Sequence, residues 1–277
     1  PSVAVTPTGQ YLVGAPVTFS VSLNATYQVT SFSGTYNVAH IPQSALDALA
    51  SFSGAYVIPL VNPPPYDSQT PMVRLNPYFI QLPQCYISSN PYGGKTGTFG
   101  LLGCLAIQNG GLWAVIRFYY QPGDEGAILG FSNAPYPSSP NGYVPWIYIG
   151  TNGYLYFGDW NGNFWQVSFP LTPGWHTLVA GEYYFNGAYY LVAYLDSPSN
   201  TVSKSSTSLP QLFGYGYSFP YDYVGTGYSS SWSNTPGGWF FFGGVVTYVA
   251  LYPGGSNEGP LLISDGVFNI ASQQQSS

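Results

Sequence analysis

Charge is what this chain has least of: four Lys and Arg, ten Asp and Glu and two His among 277 residues. Only 5% of positions are charged, against roughly a quarter in ordinary soluble proteins. Tyr, Ser, Thr, Asn and Gln therefore have to supply most of the wetted surface. So few cations, with a formal net charge of −6, exclude nucleic acid as a partner, because phosphate binding is driven by Lys and Arg releasing counterions. Long apolar runs are missing too. The longest, 239–252 (WFFFGGVVTYVALY), is interrupted by glycine and falls short of the ~20 residues a spanning helix needs. It reads as two buried strands, and no membrane span is expected. Cysteine is limited to Cys85 and Cys104, and neither has a second Cys or a His at ligand spacing, so a structural metal is not expected. The scarcity of charge does not mean disorder, since 45% hydrophobic and 18% aromatic content supply ample material for a core.

What the chain has in abundance is aromatic strand. Between Trp146 and Asp196, aromatic and aliphatic runs are cut by Asn-Gly at 152, 161 and 186. An Asn-Gly pair suits the type I′ turn of a tight hairpin, so this stretch reads as a meander of antiparallel strands. From 79 to 272 short strands follow one another with turn signals between them, the pattern of an all-β sandwich or barrel. Cys85 and Cys104 flank a Gly-rich turn, NPYGGKTGTFG, and an exported chain would pair them as a disulfide.

The beginning of the chain reads differently. Val17, Phe19, Val21 and Leu23 alternate with polar residues as in a half-buried strand, beside SVAVT and YQVTSF. GAPVTFSVSLN resembles the second strand of an immunoglobulin-like or PKD-type module, but residues 1–60 are too few for the ~100 of a full sandwich. Either these strands pack on the larger unit or another subunit completes the sheet. PQSALDALAS predicts one short helix at 42–51. The Pro-rich stretch 61–78 predicts a stiff connector, 79–272 a sandwich domain, and 273–277 a polar tail.

The order LWAVIRFYY, GAILGF, IYIGTNGYLYF, PGWHTLVAGEYYFNGAYYLVAYLD, YVGTGY and GGWFFFGGVVTYVALY resembles the laminin-G-like, concanavalin-A-like jelly roll. In that family a strand with a Trp-His element leads to one ending in an Asp-containing turn, and a late glycine-rich strand ends in an ALY-type segment. Trp175, His176, Asp196 and Ala250–Leu251–Tyr252 take those places here. The resemblance implies an antiparallel jelly-roll β-sandwich and a role in ligand binding and adhesion. The composition is similar to that of surface proteins of hyperthermoacidophilic archaea or their viruses.

Candidate binding residues are the aromatics near hairpin tips, Trp160 and Trp165 with Tyr183, Tyr184, Tyr189 and Tyr190, and the loop tyrosines Tyr215, Tyr217, Tyr221, Tyr223 and Tyr228. Such rings join a rigid apolar face to a polar tip and suit sugars or protein partners; the alternative is that they fill the core. Asp124, Glu125, Asp159, Asp196 and Asp222 are the acids that could hold calcium, a cofactor that the jelly-roll resemblance makes worth testing, or they could be turn residues. No two acids stand at the short spacing on one strand that a glycosidase of this fold would need, and neither His has a G-x-S-x-G elbow, so no catalysis is expected. Asn24 in Asn-Ala-Thr is a glycosylation acceptor in an exported chain. The expectation is an extracellular adhesion protein, on a cell or virion, whose partner is a glycan or a cell-envelope protein. The alternative is a filament or sheath subunit that self-associates by donating residues 1–7 as a strand to an open sheet edge.

Overall fold

The structure, a computed structural model, describes residues 79–272 apart from 83, together with the backbone of three short upstream strands. The expected helix at 42–51, the connector 61–78, the strand-donating residues 1–7, Asn24 and the tail lie outside the described residues. Upstream, β1 (Pro16–Phe19) and β2 (Gly34–Asn37) form a two-stranded antiparallel sheet. The third strand, β3 (Tyr56–Ile58), pairs away from them, with the sandwich.

The next elements are β4 (Ile80–Gln81), a small hairpin of β5 (Gln84–Ile87) and β6 (Gly97–Gly100), and helix α1 (Leu101–Asn109). The strands β7 (Gly111–Tyr120) and β8 (Gly126–Ser132) lead into the meander. Its strands are β9 (Tyr143–Ile149), β10 (Tyr154–Trp160), β11 (Phe164–Pro170), β12 (Gly174–Phe185), β13 (Ala188–Leu195) and β14 (Thr201–Ser206). A 3₁₀ turn at Gln211–Phe213 precedes β15 (Tyr221–Val224), and β16 (Val245–Pro253) leads to helices α2 (Glu258–Ser264) and α3 (Val267–Ser272).

These strands make an all-β antiparallel sandwich of two six-stranded sheets. One has the order β11-β10-β9-β8-β15-β4 and the other β14-β13-β12-β7-β16-β3. The chain changes sheet between β3 and β4 and, from β7 onward, between β7 and β8, β11 and β12, β14 and β15, and β15 and β16, the jelly-roll habit. The main core lies between the sheets and takes in Trp146, Phe157 and Leu191 together with the inner side of α1. A second, smaller core joins Trp113, Val179, Tyr183 and Tyr252 of the second sheet to Leu262 of α2 and Val267 of α3. That second layer explains why β7 is buried almost end to end: helices cover the face that alternation would have left wet.

Two local expectations change. LLGCLAIQN, within the stretch 79–272 expected to be strand after strand, is helix α1, whose residues 101–107 are all buried. With no polar face, periodicity cannot separate a buried helix from a buried strand; the absence of β-branched residues before Ile107, and Gly110 ending the helix at φ 75°, were the available cues. The Asn-Gly turns also differ from one another. Asn186-Gly187 closes β12–β13 with both residues at positive φ, as type I′ requires. At 153 and 162 only the glycine is left-handed, because those loops are longer and Asn152 instead accepts from the N–H of Tyr154.

The disulfide Cys85–Cys104 forms, with Cα atoms 6.4 Å apart, and ties the β5–β6 hairpin to α1. Such a covalent link is of the kind that persists in oxidising compartments. No helix is long and apolar enough to cross a membrane among the described residues. Replacing both cysteines by Ala is expected to cost ~3 kcal/mol on the loop-closure account. Equilibrium urea unfolding of the double variant against the oxidised parent checks this, and coincident curves would contradict it.

Candidate functional site

The sandwich carries a cleft of about 280 Å³ at the tip of the β10–β11 hairpin, near the small end of ligand sites. Trp160 and Phe164 come from the two sides of that hairpin, and Tyr143 with Asn141 and Gly142 from the start of β9. Gln211 and Tyr217 come from the segment around the 3₁₀ turn, and Ser230, Ser231 and Trp232 from the long loop before β16. Four separate stretches therefore converge on one hollow. Gly142 is required there: a Cβ would meet the Tyr217 ring at 2.4 Å, so any larger residue displaces that wall.

Ring contacts hold the walls. Trp232 packs edge-on against Phe164 at 5.0 Å, Trp160 against Tyr215 at 5.2 Å, and Tyr143 against Tyr228 at 4.8 Å. Each such pair contributes about 0.5–1.5 kcal/mol beyond area burial. The polar groups are part-used. Gln211 Oε1 accepts from Gly216 N–H at 2.9 Å, which leaves its amide nitrogen to donate. Asn141 Oδ1 accepts from Asn133 at 2.6 Å and likewise keeps Nδ2.

Directly behind the cleft lie two acids that sequence spacing did not connect. Asp159 on β10 and Glu182 on β12 face each other across the sheets, each with no solvent exposure. Asp159 accepts the backbone N–H of Trp160 at 2.7 Å and of Leu212 at 2.9 Å. Glu182 accepts the indole N–H of Trp146 at 2.9 Å. The two carboxyl groups lie within electrostatic reach of each other, and Glu182 Oε2 has no hydrogen-bond partner in the fold. Burial pushes the pKa of Asp159 up, and burial together with the Asp159 charge pushes that of Glu182 well above its ordinary value. Asp159 is thus bonded to the neighbours of two cleft walls, Trp160 itself and the Gln211 segment.

The other predicted residues divide. Trp160 and Tyr217 line the cleft, and Tyr215, 42% exposed, flanks it. Tyr228 supports it through Tyr143. Trp165 and Tyr223 are buried at 3% and 1% exposure and belong to the core, where the Tyr223 hydroxyl accepts from Tyr136 N–H. Tyr221 is half-buried on β15, away from the hollow. The tyrosine pairs of β12–β13 part company: Tyr183 and Tyr190 stack on the helix-covered face, while Tyr184 and Tyr189 pack with Tyr92. Phe164, Trp232, Tyr143, Gln211 and Asn141 were not singled out from the sequence. Of these only Trp232, alone in a Ser-rich loop, carried a visible signal.

The calcium candidates are turn and core residues. Asp124 caps the bend after β7 by accepting Gln121 N–H, and Glu125 accepts from the Tyr120 hydroxyl and Gly123 N–H. Asp222 is buried on β15 and accepts the Leu102 N–H at the start of α1 at 2.8 Å; burial pushes its pKa up to about 8. Asp196, at positive φ, closes the turn after β13 by holding Thr177 N–H and His176 Nδ1. His176 Nε2 donates to the Thr172 carbonyl at 2.6 Å, so the Trp-His and Asp-turn elements form a clip between β12 and β13. No group of three metal-ligating side chains gathers among the described residues.

No family model matches the chain and no curated protein does. Among solved structures it is similar to the NanB sialidase of Streptococcus pneumoniae in complex with 2-[(3-chlorobenzyl)ammonio]ethanesulfonate. The identity is 16%, the TM-score 0.39, and the match covers 64% of this chain and 27% of that one. A second structure, NanB plus Optactamide, matches at 16% identity and TM-score 0.39 over 66% of this chain and 27% of that one. The chain thus spans about a quarter of the length of these enzymes, and at such a TM-score no role passes from them to it.

Proposed function

We propose that this chain is a non-enzymatic attachment protein of a cell or virion surface, laminin-G-like in build, which holds a glycan of the opposing cell envelope in the aromatic cleft. The observation that carries this is the convergence of Trp160, Phe164, Trp232 and Tyr217 with amide and hydroxyl groups in one hollow. Flat apolar rings meet the C–H faces of a sugar, and uncharged donors meet its hydroxyls at small entropic cost. The disulfide supports an extracellular setting. An acidic habitat is supported by buried carboxyl groups that have no cation beside them.

Catalysis by the Asp159–Glu182 pair is disfavoured on geometry. Glycosidases place their carboxyl groups ~5–9.5 Å apart on either side of a bound sugar, whereas these two are both sealed from solvent in the interior. Their work is to hold the walls. The purified chain should be retained on cell-envelope polysaccharide, and Trp160→Ala should cut retention about tenfold, the effect of ~1.4 kcal/mol. Absence of retention to any envelope fraction defeats the proposal. Release of reducing sugar by the chain would make it an enzyme instead.

A further inference from the structure

The lining of the cleft narrows the ligand class. None of its ten residues is charged. The chain has only four cations, Arg74, Lys95, Arg117 and Lys204. Arg117 is buried on β7, where it donates to Thr177 and lies over Trp175 at 5.2 Å. Lys204 is on the exposed strand β14, Lys95 is in the β5–β6 loop, and Arg74 lies outside the described residues. None of the described cations reaches the hollow, and the nearest buried charge behind it is the acid Asp159.

We infer that the cleft is a subsite for one neutral sugar residue and discriminates against sialylated, uronic or sulfated glycans; this rests on the glycan-binding reading above. An anionic sugar entering here would lose hydration with no countercharge to replace it, a penalty that specificity commonly exploits. A neutral sugar finds what it needs. Its apolar face meets Phe164, which is 46% exposed and so free to be covered, and the buried edge of Trp232 behind it. Its hydroxyl oxygens accept from Gln211 Nε2 and Asn141 Nδ2, the donors left over by the internal hydrogen bonds of those amides. The volume of about 280 Å³ holds one ring rather than a chain, with neighbouring residues of the glycan left outside.

The test is an array of neutral gluco-, galacto- and manno-oligosaccharides printed beside their sialylated, uronate-bearing and sulfated counterparts, probed with the full chain. Calorimetry follows on the best ligand. Neutral glycans should bind at least tenfold more tightly than acidic ones. Phe164→Ala should weaken that binding about tenfold while lowering the thermal midpoint by only a few degrees, the loss of one ring contact at a half-exposed side chain. Gln211→Lys should shift preference towards acidic glycans. Preference of the parent chain for acidic glycans overturns this inference while leaving glycan binding standing. Silence across the whole array removes the binding reading and this one with it.

Discussion

Raising the pH from 4 to 8 is expected to lower the thermal unfolding midpoint of this protein by on the order of 10 °C. Three carboxyl groups are responsible: Asp159, Glu182 and Asp222, all essentially without solvent exposure and none with a cation beside it. Burial disfavours their charged forms, so each titrates higher in the folded state than in the unfolded chain, where Asp and Glu lose their protons near pH ~4. Asp222 is pushed up to about 8, and Glu182 well above its ordinary range. Above pH ~4 the folded protein therefore holds more protons than the unfolded one, and stability falls with rising pH. The fall starts near the unfolded values and continues, for Asp222, to about 8; below pH ~4 the contribution is fully present. A loss of a few kcal/mol converts at roughly 2–4 °C per kcal/mol for a chain of this size. Scanning calorimetry across the range checks it. Asp222→Asn, which can still accept from Leu102 N–H, should flatten the upper part of the profile. A midpoint that is level or rises towards pH 8 contradicts the account.

Asp159→Ala is expected to lose both stability and ligand. The substitution leaves the N–H groups of Trp160 and Leu212 buried without an acceptor, at ~1–3 kcal/mol each. Because those two N–H groups belong to the hairpin and the turn that wall the cleft, glycan retention should fall more than tenfold even at temperatures where the variant stays folded. Glu182→Gln separates positioning from simple stability. Its amide can donate to Asp159 while its oxygen keeps accepting from Trp146, so the walls stay placed and retention survives. The share of the pH profile that belongs to Glu182 should then disappear, while that of the buried Asp159 remains. Equal binding loss in both variants, measured by calorimetry on folded protein, would remove Asp159 from the positioning role.

Much of the architecture was legible without coordinates. Alternation, short strands and Asn-Gly turns predicted an antiparallel sandwich over 79–272, and the two cysteines their own bridge, because strand period and turn chemistry are properties of neighbouring residues. The helix at 101–109 escaped since every residue from 101 to 107 is buried, which erases periodicity. The cleft was legible only in part. Trp160, Tyr215 and Tyr217 were marked by their setting of Gly and Asn, but Trp165 and Tyr223 looked the same in sequence and went into the core. On a strand, facing the cleft or the core depends on which sheet the strand joins.

The least visible feature was the acid pair. Composition alone established that charge would be rare, and it carries the expectations that nucleic acid is not a partner and that aromatic contact rather than ionic chemistry does this protein's work. That two of its few carboxyl groups would meet in the dry interior could not be read from spacing, because they sit on different sheets, and their approach depends on how the jelly roll folds β10 over β12. Local rules set each strand; long-range packing chose which side chains share a site, and in doing so placed a buried acid, Asp159, beneath a cleft assembled from four separate stretches of chain.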